Sequence, residues 1–409
     1  MHSSSGTDPR SAAQRDASTQ EASIVSAANA LSARWAAAAP EDGRCTVFSG
    51  AGVWPLLGLL ALGAAGPTRQ QLAAAFGLDV AHAEGAVRRL LGLFDASQSM
   101  YAAFGLWQHA DVTLYPAWRD SMPPGTRGEL TGDPAVDQGV LDAWARDQTH
   151  GMIERAPVSV SPQTVLMLAS AVSVQTEWVA RFVKRRAVAG SGPWRGRAIT
   201  RLEREAQAQD IVRVDGPAGP VTVARVAGRA DLDVYLLLGT EQAGAARTLT
   251  AGLGALSGIG ERVPVERWSG SDPAPGARVE PITNATGRPE LHLACTAFDV
   301  RARHDLLVLP QVFGLAYGGD YPGIGVARGR QLGVQQAAQA AMAQFTEHGF
   351  KAAAVTMTDI FATGLMRPAP HKPTTRTTVA YDRPFGFAAV HRASGLIPIA
   401  GWVGQPAAP

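Results

Sequence analysis

Nine histidines and two cysteines are the residues from which catalysis or metal binding would have to be built. His150, His304 and His391 stand without a Gly-x-Ser-x-Gly elbow, a His-Glu-x-x-His pair or a phosphate-cradling glycine loop. Those local frames are what turn such residue types into a nucleophile, a zinc site or a phosphate site, so each histidine reads as surface or core structure. Gly190-Ser-Gly192 has no base nearby in sequence and reads as a flexible surface turn. Cys45 and Cys295 show neither C-x-x-C nor Cys/His spacing and are expected to be buried structural thiols. Asn284-Ala-Thr286 matches a glycosylation acceptor pattern, but no export signal accompanies it. Neither a metal nor a cofactor is implied.

The elements that would position any site follow from periodicity. Ile24, Ala28, Leu31 and Trp35 recur at helical spacing, giving an amphipathic helix over 24–39 after a polar start, residues 1–21, that reads as a disordered tail. Thr46-Val-Phe48 suits a short strand, Val53 to Leu62 an apolar helix, and Thr68 with Gln71 a capping box that starts the next helix. Ala103 to Trp107 reads as a strand and Val140 to Arg146 as a helix. Thr164 to Val172 is apolar on both alternating faces, as a central strand covered on two sides must be. Strands follow at Val221 to Val226, Val234 to Leu238, Thr378 to Tyr381, Phe385 to His391 and Leu396 to Val403, with Gly395 in the last turn. Residues 184–210 and 266–288, rich in Gly, Pro and Arg, read as surface excursions.

The chain has 409 residues with 37 Lys+Arg against 35 Asp+Glu, a formal net charge of +2. No dense basic cluster interleaved with aromatics is read, so no nucleic-acid partner is expected. The absence of an apolar leader or a membrane-length run gives a cytoplasmic expectation with no membrane partner.

Several separated motifs, in order, resemble the serpin family of serine protease inhibitors. Phe48-Ser49 with Leu56 to Thr68 and Gln71-Leu72 is similar to the family's Phe-Ser-Pro strand and following helix. Leu141-Asp-Ala-Trp144 and Thr149-His-Gly151-Met-Ile153 resemble its Ile-Asn-x-Trp-Val and Thr-x-Gly-x-Ile. Thr164-Val-Leu166 through Trp178 is similar to the strand whose Trp packs at the top of the central sheet. Glu347-His-Gly349 with Ala352-Ala-Ala354-Val-Thr356 resembles the reactive-loop hinge, and Asp382-Arg-Pro384-Phe385 with Ala400-Gly401 the closing strands.

The resemblance implies an α+β serpin fold over residues 22–409, with three β-sheets, about eight or nine helices and a reactive loop at about 347–378. It implies a monomer whose partner is a serine protease, cleaved loop inserting as an extra strand of the central sheet. Insertion needs small residues, which Ala352, Ala353 and Ala354 supply. Alternation would turn Phe350, Ala352, Ala354, Thr356 and Thr358 inward from the Gly349 hinge. Phe350 stands where the family has Thr or Ser, and an aromatic ring without room would cost about 1–3 kcal/mol.

The loop is also longer than the family's usual spacing by about ten residues. Counting forward from the hinge puts the scissile bond at Thr363-Gly364; counting back from Val379 puts it near Pro373. Leu365, Met366 and Arg367 lie between. Arg367 and Lys372 each precede a proline, which hinders cleavage, and Arg376-Thr377 is close to the closing strand. The expected target prefers small or apolar residues, as subtilisin- and elastase-like proteases do. By resemblance Ser49, Ser170 and Gln339 are the polar groups that hold the central sheet, and Trp178 controls loop entry. A non-inhibitory binder, or an enzyme recruited onto this fold, stays open as an alternative.

Overall fold

A computed structural model describes residues 9–123, 126–149, 151–269, 273–350 and 372–407. Among them are eight α-helices: α1 (Pro9–Ala37), α2 (Gly50–Gly63), α3 (Gly66–Phe76), α4 (Ala83–Asp95), α5 (Pro116–Arg119), α6 (Pro134–Gln148), α7 (Ala245–Leu256) and α8 (Pro310–Phe313). The strands begin with β1 (Thr46–Phe48), β2 (Met100–His109), β3 (Val112–Leu114), β4 (Arg127–Leu130), β5 (Leu166–Val174), β6 (Thr176–Glu177) and β7 (Val183–Val188). Next come β8 (Ala198–Glu205), β9 (Ile211–Gly216), β10 (Gly219–Val226), β11 (Leu232–Leu238), β12 (Glu261–Pro264), β13 (Ala277–Asn284), β14 (Glu290–Thr296) and β15 (Phe298–Asp305). The last are β16 (Gly325–Ala327), β17 (Arg330–Gln331), β18 (Ala338–Phe345), β19 (Gly349–Phe350), β20 (Lys372–Tyr381), β21 (Phe385–His391) and β22 (Ile399–Val403).

Three layers organise the molecule. A seven-stranded sheet, β1-β22-β21-β11-β10-β9-β12, forms one wall. A five-stranded sheet, β13-β20-β14-β8-β7, lies at one end. The third layer contains two hydrogen-bonded groups, β4-β2-β5 and β15-β18-β19-β6, and a small ribbon, β17-β16-β3, completes the set.

The helices go where their apolar faces require. Almost all of α2 is buried, so it is apolar on every side and runs beneath β5. Gly52 permits that approach: a Cβ there would lie 2.9 Å from Val172 Cγ2. On the other face α6 is started by Asp133, whose carboxylate accepts from the Ala135 and Val136 amides, with Pro134 in the first turn. It packs Leu141 and Ala145 into a small core with Trp107, Leu130 and Met167, and Trp144 meets Trp107 edge-on at 4.9 Å. β5 is thus covered on both faces, as its largely apolar alternating faces predict.

Several boundaries differ from the sequence reading. Residues 9–21 are helical, not a tail, because the packed 24–37 segment supplies the nucleus that good helix formers such as Ala, Gln and Arg extend. α3 starts at Gly66 with Pro67 in its first turn, and Thr68 Oγ1 instead accepts from the Asp320 amide, so no capping box forms. The Gly- and Arg-rich stretches 184–210 and 266–288 contain β7, β8 and β13; period-2 alternation is obscured there because these strands are half exposed. The exit strand β20 begins at Lys372, which ends the loop earlier than residue 378.

Candidate functional site: a seam in the central layer

β5 and β18 are built from small residues, Leu166-Met-Leu-Ala-Ser-Ala-Val-Ser-Val174 and Ala338-Gln-Ala-Ala-Met-Ala-Gln-Phe345, and lie against each other. Among the described residues no backbone ladder joins them. β5 pairs only with β2, from Met100↔Val174 to Gln108↔Leu166, and β18 pairs with β15 along its whole length. Among the described residues the layer is therefore divided by a seam, along which the facing edges of β5 and β18 are not paired with each other.

At one end the seam is occupied. After β18 the chain reverses through Glu347-His348, and the Thr346 amide and hydroxyl both donate to the Gly349 carbonyl, at 3.0 and 3.2 Å. Gly349 and Phe350 then pair on both sides, Phe350 with Phe345 of β18 and with Thr176 of β6, Gly349 with Glu177. Only glycine fits at the turn into the seam, since a Cβ on Gly349 would sit 2.4 Å from the Thr176 carbonyl oxygen.

Phe350 is 1% exposed. Its ring lies 6.1 Å from Phe387, and Phe345, Phe298 and Phe385 extend the same aromatic cluster. The steric penalty expected for an aromatic hinge residue is met by a ready-made seat: the phenylalanines of β15, β18 and β21 leave room for one more ring.

Trp178 closes this end. It is fully buried, its indole donates to Thr346 O at 2.9 Å and its amide to His348 O at 3.0 Å, while the Phe182 amide donates to Glu347 O. The indole also lies 4.7 Å from the Phe345 ring. Glu347 itself is loosely paired, 3.7 Å from Lys184 Nζ.

Beneath the seam the two edges are tied through α2 rather than to each other. Gln339 of β18 accepts from the Ser49 amide and donates to the Ser49 carbonyl, both at 2.8 Å. Ser49 caps α2 by accepting from the Gly52 amide and donates its hydroxyl to Pro398 O at 2.6 Å. Ser170 of β5 donates to the Gly52 carbonyl at 2.7 Å. The three polar residues singled out by resemblance are thus joined in one chain, Ser170 to Gly52 to Ser49 to Gln339. His304, opposite Gln339 in the β15–β18 register, extends it: Nε2 lies 2.9 Å from Val47 O and the ring meets Trp35 edge-on at 5.0 Å. Burial pushes the His304 imidazole below its usual range, partly offset by the bond to Val47 O. A lone histidine in a charged segment carries no sequence signal for this role.

Ala352, Ala353, Ala354, Thr356 and the scissile candidates Thr363, Gly364, Leu365, Met366 and Arg367 lie outside the described residues, as do His150 and Lys351. On their far side β20 is held as an inner strand. Lys372 to Val379 pair with β13, Arg376 to Tyr381 pair with β14, and Arg376 meets Glu290 Oε2 through two nitrogens at 2.8 Å.

Elsewhere the chemistry is structural. Burial raises the Cys295 thiol to about 12. His391 Nδ1 shares a hydrogen bond with Ser394 Oγ at 2.7 Å inside a hairpin turn. A cleft of about 990 Å³ between the five- and seven-stranded sheets is lined by internally paired charges, such as Arg213 with Asp215 at 3.1 Å and Arg278 with Glu280 at 2.6 Å, and lies away from the seam. Among the described residues no cluster of His, Cys, Asp or Glu could hold a metal, and no helix is long and apolar enough to cross a membrane.

Comparison with known proteins agrees with this architecture. Residues 27–190 match the serpin (serine protease inhibitor) family. No curated protein sequence gives a significant match. Human thyroxine-binding globulin complexed with thyroxine superposes with a TM-score of 0.69 at 16% identity, covering 95% of this chain and 99% of that one. The cleaved Serpin 42Da gives 0.70 at 14% identity over 95% and 98%, and mouse protein-Z dependent protease inhibitor 0.67 at 14% over 96% and 98%. The α+β serpin fold extends across the chain, and residues 27–190 carry the sequence pattern of the serpin family.

Proposed function

We propose that this chain inhibits a serine protease by offering the segment after Phe350 as bait and taking it into the seam once cut. The observation that supports the reading is the pairing of Gly349 and Phe350 with strands on both sides, at the end of a seam whose edges, among the described residues, are otherwise unjoined. In such a mechanism the protease serine attacks the scissile carbonyl, an ester to the enzyme forms as the peptide bond breaks, and the new amino terminus departs with β20. The freed hinge side then zips along β5 and β18. New ladder bonds, each contributing about 0.5–1.5 kcal/mol net, draw the acylated protease with it. Ala352 to Ala354 carry no bulk that would oppose this.

Both ends of the bait are fixed in the uncut chain, one in the seam and one in the five-stranded sheet. Cleavage is what releases one from the other. The target preference read from Thr363 to Met366 is for small or apolar residues, with the protein acting as a monomer and needing no cofactor.

A second reading has one observation in its favour. Phe350 is already seated, and a hinge anchored this firmly suits a serpin scaffold used for binding, as the name of thyroxine-binding globulin describes for that protein. Mixing the protein with subtilisin- and elastase-like proteases separates the two. An SDS-resistant complex supports inhibition; cleavage of the bait with the protease left fully active supports the binding scaffold.

A further inference from the structure

Charge is distributed far less evenly than the net value of +2 implies. Between Glu177 and Glu203 there is no acidic residue, while Arg181, Lys184, Arg185, Arg186, Arg195, Arg197 and Arg201 fall in that interval. The sequence reads as having no dense basic cluster interleaved with aromatics, yet these cations are concentrated within one short interval. All but Arg201 are exposed.

They are concentrated along β7, Val183-Lys-Arg-Arg-Ala-Val188, and the turn that returns to β8. β7 is the last strand of the five-stranded sheet, paired with β8 on one side and with nothing on the other among the described residues. Its carboxylate contacts are sparse: Arg185 lies 3.5 Å from Glu203 and Lys184 3.7 Å from Glu347, distances at which exposed pairs contribute little. Val183 and Val188 are exposed at its two ends.

We infer that the free edge of β7 is a docking strip for an acidic, extended polypeptide segment, which adds as a further strand and meets the cations with alternate carboxylates. Three observations select this partner. The unpaired edge offers backbone donors and acceptors, which a polypeptide matches along its length. The exposed valines suit apolar side chains at the ends of such a strand. The aromatic residues of the same interval, Trp178, Phe182 and Trp194, are buried, so this interval presents no aromatic platform on which nucleic-acid bases could stack. A cationic edge also deters self-association and attracts an acidic partner. The strip does not require the loop mechanism, although Lys184 lies 3.7 Å from Glu347 of the hinge turn.

The test uses the intact protein and a fluorescein-labelled peptide alternating Val and Glu over eight residues, followed by anisotropy, with no protease present. The expected result is saturable binding that weakens as salt rises and becomes at least ~10-fold weaker in R185E/R186E. R88E/R89E, on the exposed side of α4, should bind as the native chain does, and both variants should melt as it does. The inference is overturned if the peptide fails to bind, if R88E/R89E weakens it equally, or if a sulfated polysaccharide or single-stranded DNA binds with R185/R186 dependence while the peptide does not.

Discussion

Replacing Phe350 by alanine should release the hinge without unfolding the domain. The ring is 1% exposed and packs toward Phe387 in the seam. Burying such a side chain contributes about 1.5–3 kcal/mol. Ordering Gly349 and Phe350 costs about 1–2 kcal/mol of backbone entropy for each residue, which the turn and ladder bonds, at about 0.5–1.5 kcal/mol apiece, roughly offset. The ring therefore supplies the margin that keeps the hinge docked. Losing about 2 kcal/mol multiplies the undocked population by about 30. Hydrogen exchange read by mass spectrometry over 346–350 and 176–182 reports it, because the Trp178 and Phe182 amides donate to His348 and Glu347 of the same turn. Exchange in both segments should quicken by about 30-fold, with the global unfolding midpoint little changed. The reasoning is refuted if exchange there stays at the native rate while the global unfolding free energy falls by the ~3–5 kcal/mol of an ordinary core Phe→Ala change; the ring would then belong to the fixed core and not to a hinge.

Other substitutions probe the rest of the site. Gln339→Leu strands the buried Ser49 amide and carbonyl, and should lower unfolding stability by about 1–3 kcal/mol in a denaturant titration. Gly349→Ala places a methyl against Thr176 O, so the hinge should leave the seam and the 346–350 segment become sensitive to dilute protease while the melt of the domain is kept. His304 is held neutral by burial, so the unfolded chain takes up its proton first as pH falls. The stability it contributes is complete above the usual imidazole range near pH ~6.5 and is lost below it, with a slope no steeper than about 1.4 kcal/mol per pH unit. His304→Gln should remove that part of the acid dependence, seen by comparing urea midpoints at neutral and mildly acidic pH.

Much of this architecture is legible in residue types. β5 announces a doubly covered strand because it is apolar on both faces, and Ser49, Ser170 and Gln339 are visible as polar residues in otherwise apolar or small-residue runs. The seam itself is not legible, since which edges remain unpaired depends on strands from residues 100, 166, 298 and 338 meeting in space. Phe350 reads as an obstacle in sequence because the cavity that accepts it is made by Phe298, Phe345, Phe385 and Phe387, from three different strands. β7 and β13 escape notice because edge strands show charge and turn residues in place of alternation, and the first part of α1, residues 9–21, because an exposed helical segment needs no apolar face once the rest of the helix is packed.

The central claim is that the seam accepts the bait as a strand, and a melt before and after a single cut tests it most directly. A brief elastase treatment, with the cut mapped by mass spectrometry, leaves the two pieces associated through β20 and the closing strands. Insertion completes the divided layer, and the cut protein should melt at least ~10 °C above the intact one, far more than the few degrees that 1 kcal/mol provides. An unchanged or lower melting temperature would contradict the account.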